Sequence, residues 1–216
     1  LKGSRQRSPG WRVGFHQMQL FQQIDARTFI YRVDARGRLS DVNDAWLAFA
    51  RENDWPVSAA DVIGRPLMDF IADAQLRYLY GLLMSRLRDG HGPFRFHFRC
   101  DAPDCRRLME MHMLYDARAR EIEFQSQVLR IERRTAQELL RAGDAGDGQR
   151  LDICSCCKRV DTGNGWVEVE SAVIRLQLFD CDHLPRTQHC VCRQCAEQLA
   201  QLAGGQSAPS PERMTH

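Results

Sequence analysis

No run of the 216 residues approaches the eighteen consecutive apolar side chains that a membrane-spanning helix needs, and the first residues carry no apolar core of a secretory signal. The expectation is a cytoplasmic protein with no membrane contact. A Walker-type phosphate loop, a kinase or cyclase signature, and a Ser/His/Asp set in supporting local context are also missing. No catalytic residue is therefore assigned, and no enzyme is expected. An excess of one charge is missing too: 30 Lys and Arg against 28 Asp and Glu leave +2, which excludes little. The chain opens on Leu1 without a methionine, and Met18 is an alternative start.

Cysteine is what the chain does have. There are nine, and an odd number in a reducing compartment points to metal binding and free thiols, not to a disulfide framework. Two Cys-x-x-Cys pairs stand near the C-terminus, in Cys154-Ser155-Cys156-Cys157 and Cys192-Arg193-Gln194-Cys195. Each spacing forms a turn that presents two sulfurs to one tetrahedral ion, so the expected ligands of a structural zinc are Cys154, Cys157, Cys192 and Cys195. The 34 residues between the pairs exceed the span of a tight zinc ribbon and leave room for a strand and a helix. Four thiolates around a divalent ion leave −2, and Lys158, Arg159 and Arg193 stand beside them in sequence. About fifty residues bury too little apolar surface to fold unaided, whereas a structural zinc can contribute roughly 10–16 kcal/mol. Cys156, Cys181, His183, His189 and Cys190 are alternative ligands nearby, and a redox dithiol at Cys154/Cys157 or Cys156/Cys190 is the competing reading.

Upstream, the periodicity defines a second unit over 26–132. A hairpin is expected from Phe29–Val33 and Arg38–Val42 around a turn at 34–37. Asn43 caps a helix bearing Trp46, Leu47, Phe49 and Ala50, which stops near Asn53 and Pro56. A longer helix over Ala74–Arg88 buries Leu76, Leu79, Tyr80, Leu83 and Leu87 in one stripe. The period then falls to two. Phe94, Phe96, Phe98 and Cys100 mark one strand, Met109, Met111, Met113 and Tyr115 a second, and 121–131 a third with Ile122, Phe124, Val128, Leu129 and Ile131. The fold class is α+β: an antiparallel five-stranded sheet with helices on one face, plus a small zinc-stabilised C-terminal module. The divisions are an arm over 1–25, the sheet domain over 26–132, a helical then glycine-rich linker over 133–150, the cysteine module over 151–203 and a disordered tail over 204–216.

Asp34-x-x-Gly37, Asn43-x-x-Trp46, Val62-Ile63-Gly64-Arg65-Pro66-Leu67, the long helix and three closing strands resemble a PAS domain. The C-terminal stretch resembles the cysteine-rich segment that ends some bacterial PAS proteins, through Cys154-Ser155, Cys157-Lys158, Trp166, Glu170, His189, Cys192 and Cys195. Cys156 and Cys190 depart from it, standing where that pattern has Trp and Gly. The resemblance implies a sensory or interaction protein with a small-molecule cavity between sheet and helices, its ligand unknown, and with a protein partner or a homodimer. It also disfavours cysteine-dependent flavin photochemistry, because the Gly64-Arg65-Pro66-Leu67 stretch holds no cysteine, and it disfavours haem, because Ala74–Arg88 holds no histidine.

The remaining candidates read blandly. His91, His97 and His112 fit surface or hydrogen-bonded positions, Met109, Met111 and Met113 fit core, Cys100 a buried small residue and Cys105 a loop thiol. Residues 151–200 carry five Lys/Arg and seven Asp/Glu, a poor footprint for nucleic acid. The glycines of 143–148 argue against a rigid lever to the cysteine module, so coupling is expected to run through docking or a dimer interface.

Overall fold

The computed structural model describes residues 27–141, 150–178 and 184–204. The expected arm over 1–25, the glycine run 143–148, the alternative ligands Cys181 and His183, and the tail from residue 205 on lie outside them.

Strands β1 (Thr28–Val33), β2 (Leu39–Val42), β3 (Phe94–Arg99), β4 (Cys105–Asp116) and β5 (Glu121–Arg133) form one antiparallel sheet in the order β2-β1-β5-β4-β3. Asp34 ties the first hairpin: its carboxylate accepts from the amides of Arg36 at 2.8 Å and Arg38 at 2.9 Å, while Gly37 adopts φ +75°. Asn43 then caps α1 (Asp44–Glu52). Its side-chain oxygen accepts from the Trp46 amide at 2.9 Å and the Ile30 amide at 3.1 Å, and its NH2 donates to the Thr28 carbonyl at 2.9 Å. One side chain thus starts the helix and fastens it to β1.

Helix α2 (Ala59–Val62), a 3-10 turn over Leu67–Phe70 and α3 (Ala74–Arg88) complete the helical layer. On α3, Leu79, Leu83, Met84 and Leu87 are buried against Met111, Met113, Ile122 and Phe124 of the sheet. The methionine stripe is core, as its spacing indicated.

Along β5 the apolar set changes parity. Ile122, Phe124 and Val128 are buried, whereas Leu129 is 37% exposed. Leu108 pairs with Arg130 and Met109 with Val128, so Leu129 is the extra residue of a bulge. Leu129 leaves the expected apolar set for this reason, and Ile131 returns to packing beyond the bulge.

Three further expectations are corrected. The helix expected within 132–141 is instead the end of β5 followed by a 3-10 turn over Glu138–Leu140, because Leu139 is drawn into a second core with Leu151, Ile153, Val160 and Val173. Strand β4 begins at Cys105, not Met109, so Cys105 is 2% exposed and no loop thiol. Cys100, expected to be the buried one, is half-buried beyond the end of β3.

The C-terminal part forms a second sheet of β6 (Arg150–Cys154), β7 (Val160–Asp161), β8 (Trp166–Val167) and β9 (Arg186–Cys190), in the order β8-β7-β6-β9. Helix α4 (Val169–Arg175) covers it with Val169, Ala172 and Val173. Helix α5 (Arg193–Leu202) instead turns to the first domain, where Ala196, Leu199, Ala200 and Ala203 join the core built around Leu79, Leu83 and Leu87 of α3. No helix among the described residues is long and apolar enough to cross a membrane.

Candidate metal centre

Strands β6 and β9 are parallel, with Cys154 opposite Cys190. Parallel neighbours need a long crossover, and the residues between the two cysteine pairs supply it through β7, β8 and α4. Both chains therefore leave the sheet at the same end, where each makes a cysteine turn. In the first, the Lys158 amide donates to the Cys154 carbonyl at 2.9 Å, and Lys158 itself takes φ +58°. In the second, Cys192 is the N-cap of α5 and Cys195 lies in its first turn.

The Sγ atoms of Cys154, Cys157, Cys192 and Cys195 lie within 4.8 Å of one another, and among the described residues this is the one such group of potential metal ligands. Cys157 and Cys192 have their sulfurs 3.8 Å apart. A tetrahedral ion bound by sulfur at about 2.3 Å sets its ligands about 3.8 Å from one another, so the donor set fits. The Cys192 amide also donates to the Cys154 sulfur at 3.3 Å, a bond that suits a thiolate acceptor.

The thiols of Cys156, Cys157, Cys192 and Cys195 converge on Cys154 and hold it well below the ordinary thiol range. Their contacts with Cys154 push Cys157 and Cys192 far up, and Cys195 up to about 12. One negative charge fits among these sulfurs unaided, and four require a cation.

Two of the three cations expected to offset the sulfurs have carboxylate partners of their own. Arg193 is paired with Glu197 in solvent at 2.7 Å, and Arg159 with Glu168 at 3.3 Å. Carboxylates already engage these guanidinium groups, and the N-terminus of α5 supplies positive potential at the sulfurs instead. His189 is exposed on β9 and lies outside the four-sulfur group, as does Cys190. Cys156 is also outside it, yet within hydrogen-bonding reach of Cys154 and Cys195.

The centre stands at a seam. The Arg99 amide at the end of β3 donates to the Cys156 carbonyl at 2.7 Å, so the cysteine turn continues the hydrogen bonding of the edge strand. Beside it, Arg99 bonds Glu168 at 2.6 Å and also Asp101, while Glu170 receives Arg106 at 2.7 Å and Arg134 at 3.0 Å. The Asp101 side chain is fully buried, and Arg134 bridges it at 3.3 Å. Glu170, one of the residues of the cysteine-rich resemblance, thus acts between the domains and away from the metal. The arginines that meet it sit in strand-end positions whose partners sequence spacing did not reveal.

The interior between sheet and helices is occupied by stacked rings. Tyr31 and Phe124 lie 4.6 Å apart at 9°, and Tyr80 lies 6.2 Å from Phe124 at 5°. Burial raises the phenol pKa of both tyrosines. Beside the stack remains a cavity of about 240 Å³ bounded by Trp46, Trp55, Phe70 and Leu76. His97 and His112 are on the opposite, polar side of the sheet around Glu110, at 3.4 and 2.8 Å, and His91 is exposed after α3. A larger cavity of about 540 Å³ opens at the seam itself, between α3, β3 and α5.

No family model matches the chain, and no curated protein does. Solved structures resemble about half of it. The photoactive yellow protein domain of the sensor histidine kinase Ppr from Rhodospirillum centenum is 19% identical, with a TM-score of 0.37 over 47% of this chain and 87% of its own. The PAS domain of BvgS from Bordetella pertussis is 20% identical, with a TM-score of 0.32 over 46% and 70%. The Aer2 receptor of Vibrio cholerae, a dual PAS-heme oxygen sensor, is 14% identical, with a TM-score of 0.31 over 48% and 94%. By its strand order and one-sided helical layer the first domain is PAS-like, and the chain joins it to a four-cysteine centre able to hold a metal ion.

Proposed function

We propose that this chain is a cytoplasmic sensory or interaction protein in which a structural zinc at Cys154, Cys157, Cys192 and Cys195 fastens the C-terminal segment to a PAS-like sensor domain. It has no catalytic output of its own. The observation that carries this reading is the shared core: Cys154, Cys192 and Cys195 are buried in the same cluster as Leu79 and Leu83 of α3. A shift of α3 on ligand entry therefore reaches the metal centre by packing, without a lever through 143–148. Four sulfur ligands close the coordination sphere and leave no position for substrate, which suits a structural ion, and tetrahedral sulfur suits zinc. The signal would pass to a protein partner or a second copy, and the net −2 of residues 151–200 disfavours nucleic acid.

Native mass spectrometry of the chain purified without chelator tests this. One zinc per chain is expected, and a metal-free, fully folded chain would overturn it. A second reading, a thiol redox sensor, is favoured by one observation: Cys156 is a fifth thiol touching Cys154 and Cys195. Alkylation separates the two. Structural zinc thiolates resist it until a chelator is added, whereas a redox dithiol reacts at once.

A further inference from the structure

We propose that the seam cavity binds a neutral aromatic molecule with a polar group at its edge. Its volume of about 540 Å³ lies inside the range of about 300–1,000 Å³ usual for small-molecule sites. The inner cavity between sheet and helices holds less than half of that, beside the Tyr31–Phe124–Tyr80 stack.

The class of ligand follows from the walls. Tyr80, Phe96 and Phe98 form one side, with Tyr80 and Phe96 edge to face at 6.3 Å, and Leu199 of α5 stands among the facing residues. A flat ring fits between such surfaces. At the mouth, Gln198 and Gln201 are exposed, and each amide offers both a donor and an acceptor to the edge of a ring. Among the described residues, no Asp, Glu, Lys or Arg lines the cavity, and the imidazole on its wall, His97, already lies 3.4 Å from Glu110. A permanently charged ligand would find no formal charge of opposite sign on these walls. An anion would also face the sulfur-rich wall at Cys195.

Position gives the site its effect. Leu76 and Tyr80 belong to both cavities, and Ser155 and Cys156 of the first cysteine turn close the larger one. An occupant therefore touches α3, β3, α5 and the metal turn together and favours their docked arrangement. This inference rests on the sensor reading only for the meaning of binding, not for its occurrence.

The test is a fluorescence titration of the full chain with the neutral dye N-phenylnaphthylamine, with zinc measured on the same sample. Saturable one-to-one binding is expected. Gln198→Trp, which fills the exposed mouth, should weaken it at least about tenfold, whereas Trp55→Ala, on the inner cavity, should leave it unchanged. The dye should also slow iodoacetamide labelling of Cys156 in the unmutated chain, a readout that does not depend on either variant folding. Loss of binding in Trp55→Ala but not in Gln198→Trp would overturn the proposal, as would unsaturable binding. Equal affinity for the sulfonated analogue, anilinonaphthalene sulfonate, would overturn the requirement for a neutral ligand. Dye binding by a metal-free chain would support this site while sinking the zinc reading; zinc without dye binding would do the reverse.

Discussion

Asn43 makes three hydrogen bonds with one side chain, two to the strand β1 and one to the helix it caps. Asn43→Ala removes all three, so it should cost about 2 kcal/mol, more than an ordinary cap. Urea unfolding would read this as a lower midpoint at unchanged slope. Among the cysteines, Cys157→Ser should abolish stoichiometric metal binding, while Cys156→Ser should retain one ion per chain; metal analysis after dialysis distinguishes them. The Cys-x-x-Cys spacing made Cys154 and Cys157 readable as a pair, because that spacing is itself the geometry of the turn. The place of Cys156 was not readable. It depends on the turn folding through Lys158 at φ +58° and on what lies across from it, namely Tyr80 and Phe96. At the scale of single residues, then, local chemistry showed in the sequence and long-range neighbours did not.

The end of edge strand β3, the start of β4 and the turn between them carry the junction between the two sheets. Partial burial works against ionising Glu170, yet Arg106 and Arg134 hold its pKa down to about 2, from an ordinary 4.5. A carboxylate depressed in this way stabilises the folded state fully above its unfolded value. That contribution fades as pH falls from about 4.5 toward 2. Metal thiolates take up protons in milder acid. On acidification, zinc release is therefore expected before the ionic junction yields, which a chelating indicator and hydrogen exchange of the β3 amides would resolve. Glu170→Gln should loosen the junction at neutral pH by about 2 kcal/mol, seen as faster exchange in β3 with zinc content unchanged. The three closing strands of the first sheet were legible because their period of two reports burial, and the first two because a turn at 34–37 separates them. Even the bulge left its trace, as the shift from Ile122, Phe124 and Val128 to Ile131. The expected helix within 132–141 failed because propensity carried no information about the second core that claims Leu139.

The molecule as a whole has a core that runs through both halves. Leu199 and Ala200 of α5 and Ala203 just after it share a cluster with Leu83 and Leu87 of α3. Removing the metal should therefore destabilise both halves together: calorimetry of the chelated protein is expected to show one transition at lower temperature, not an early melt of 150–204 followed by an unshifted sheet domain. The apolar face of α5 could be seen in its sequence, but not what it meets. A face specifies that something must cover it and leaves the partner open. Because α5 completes the packing of a domain that begins more than a hundred residues earlier, the cysteine segment is not a detachable cassette. Grafted behind a different sheet domain it would carry its sulfurs intact but expose Leu199 and Ala200, so genetic exchange can move this pair of domains only as one block.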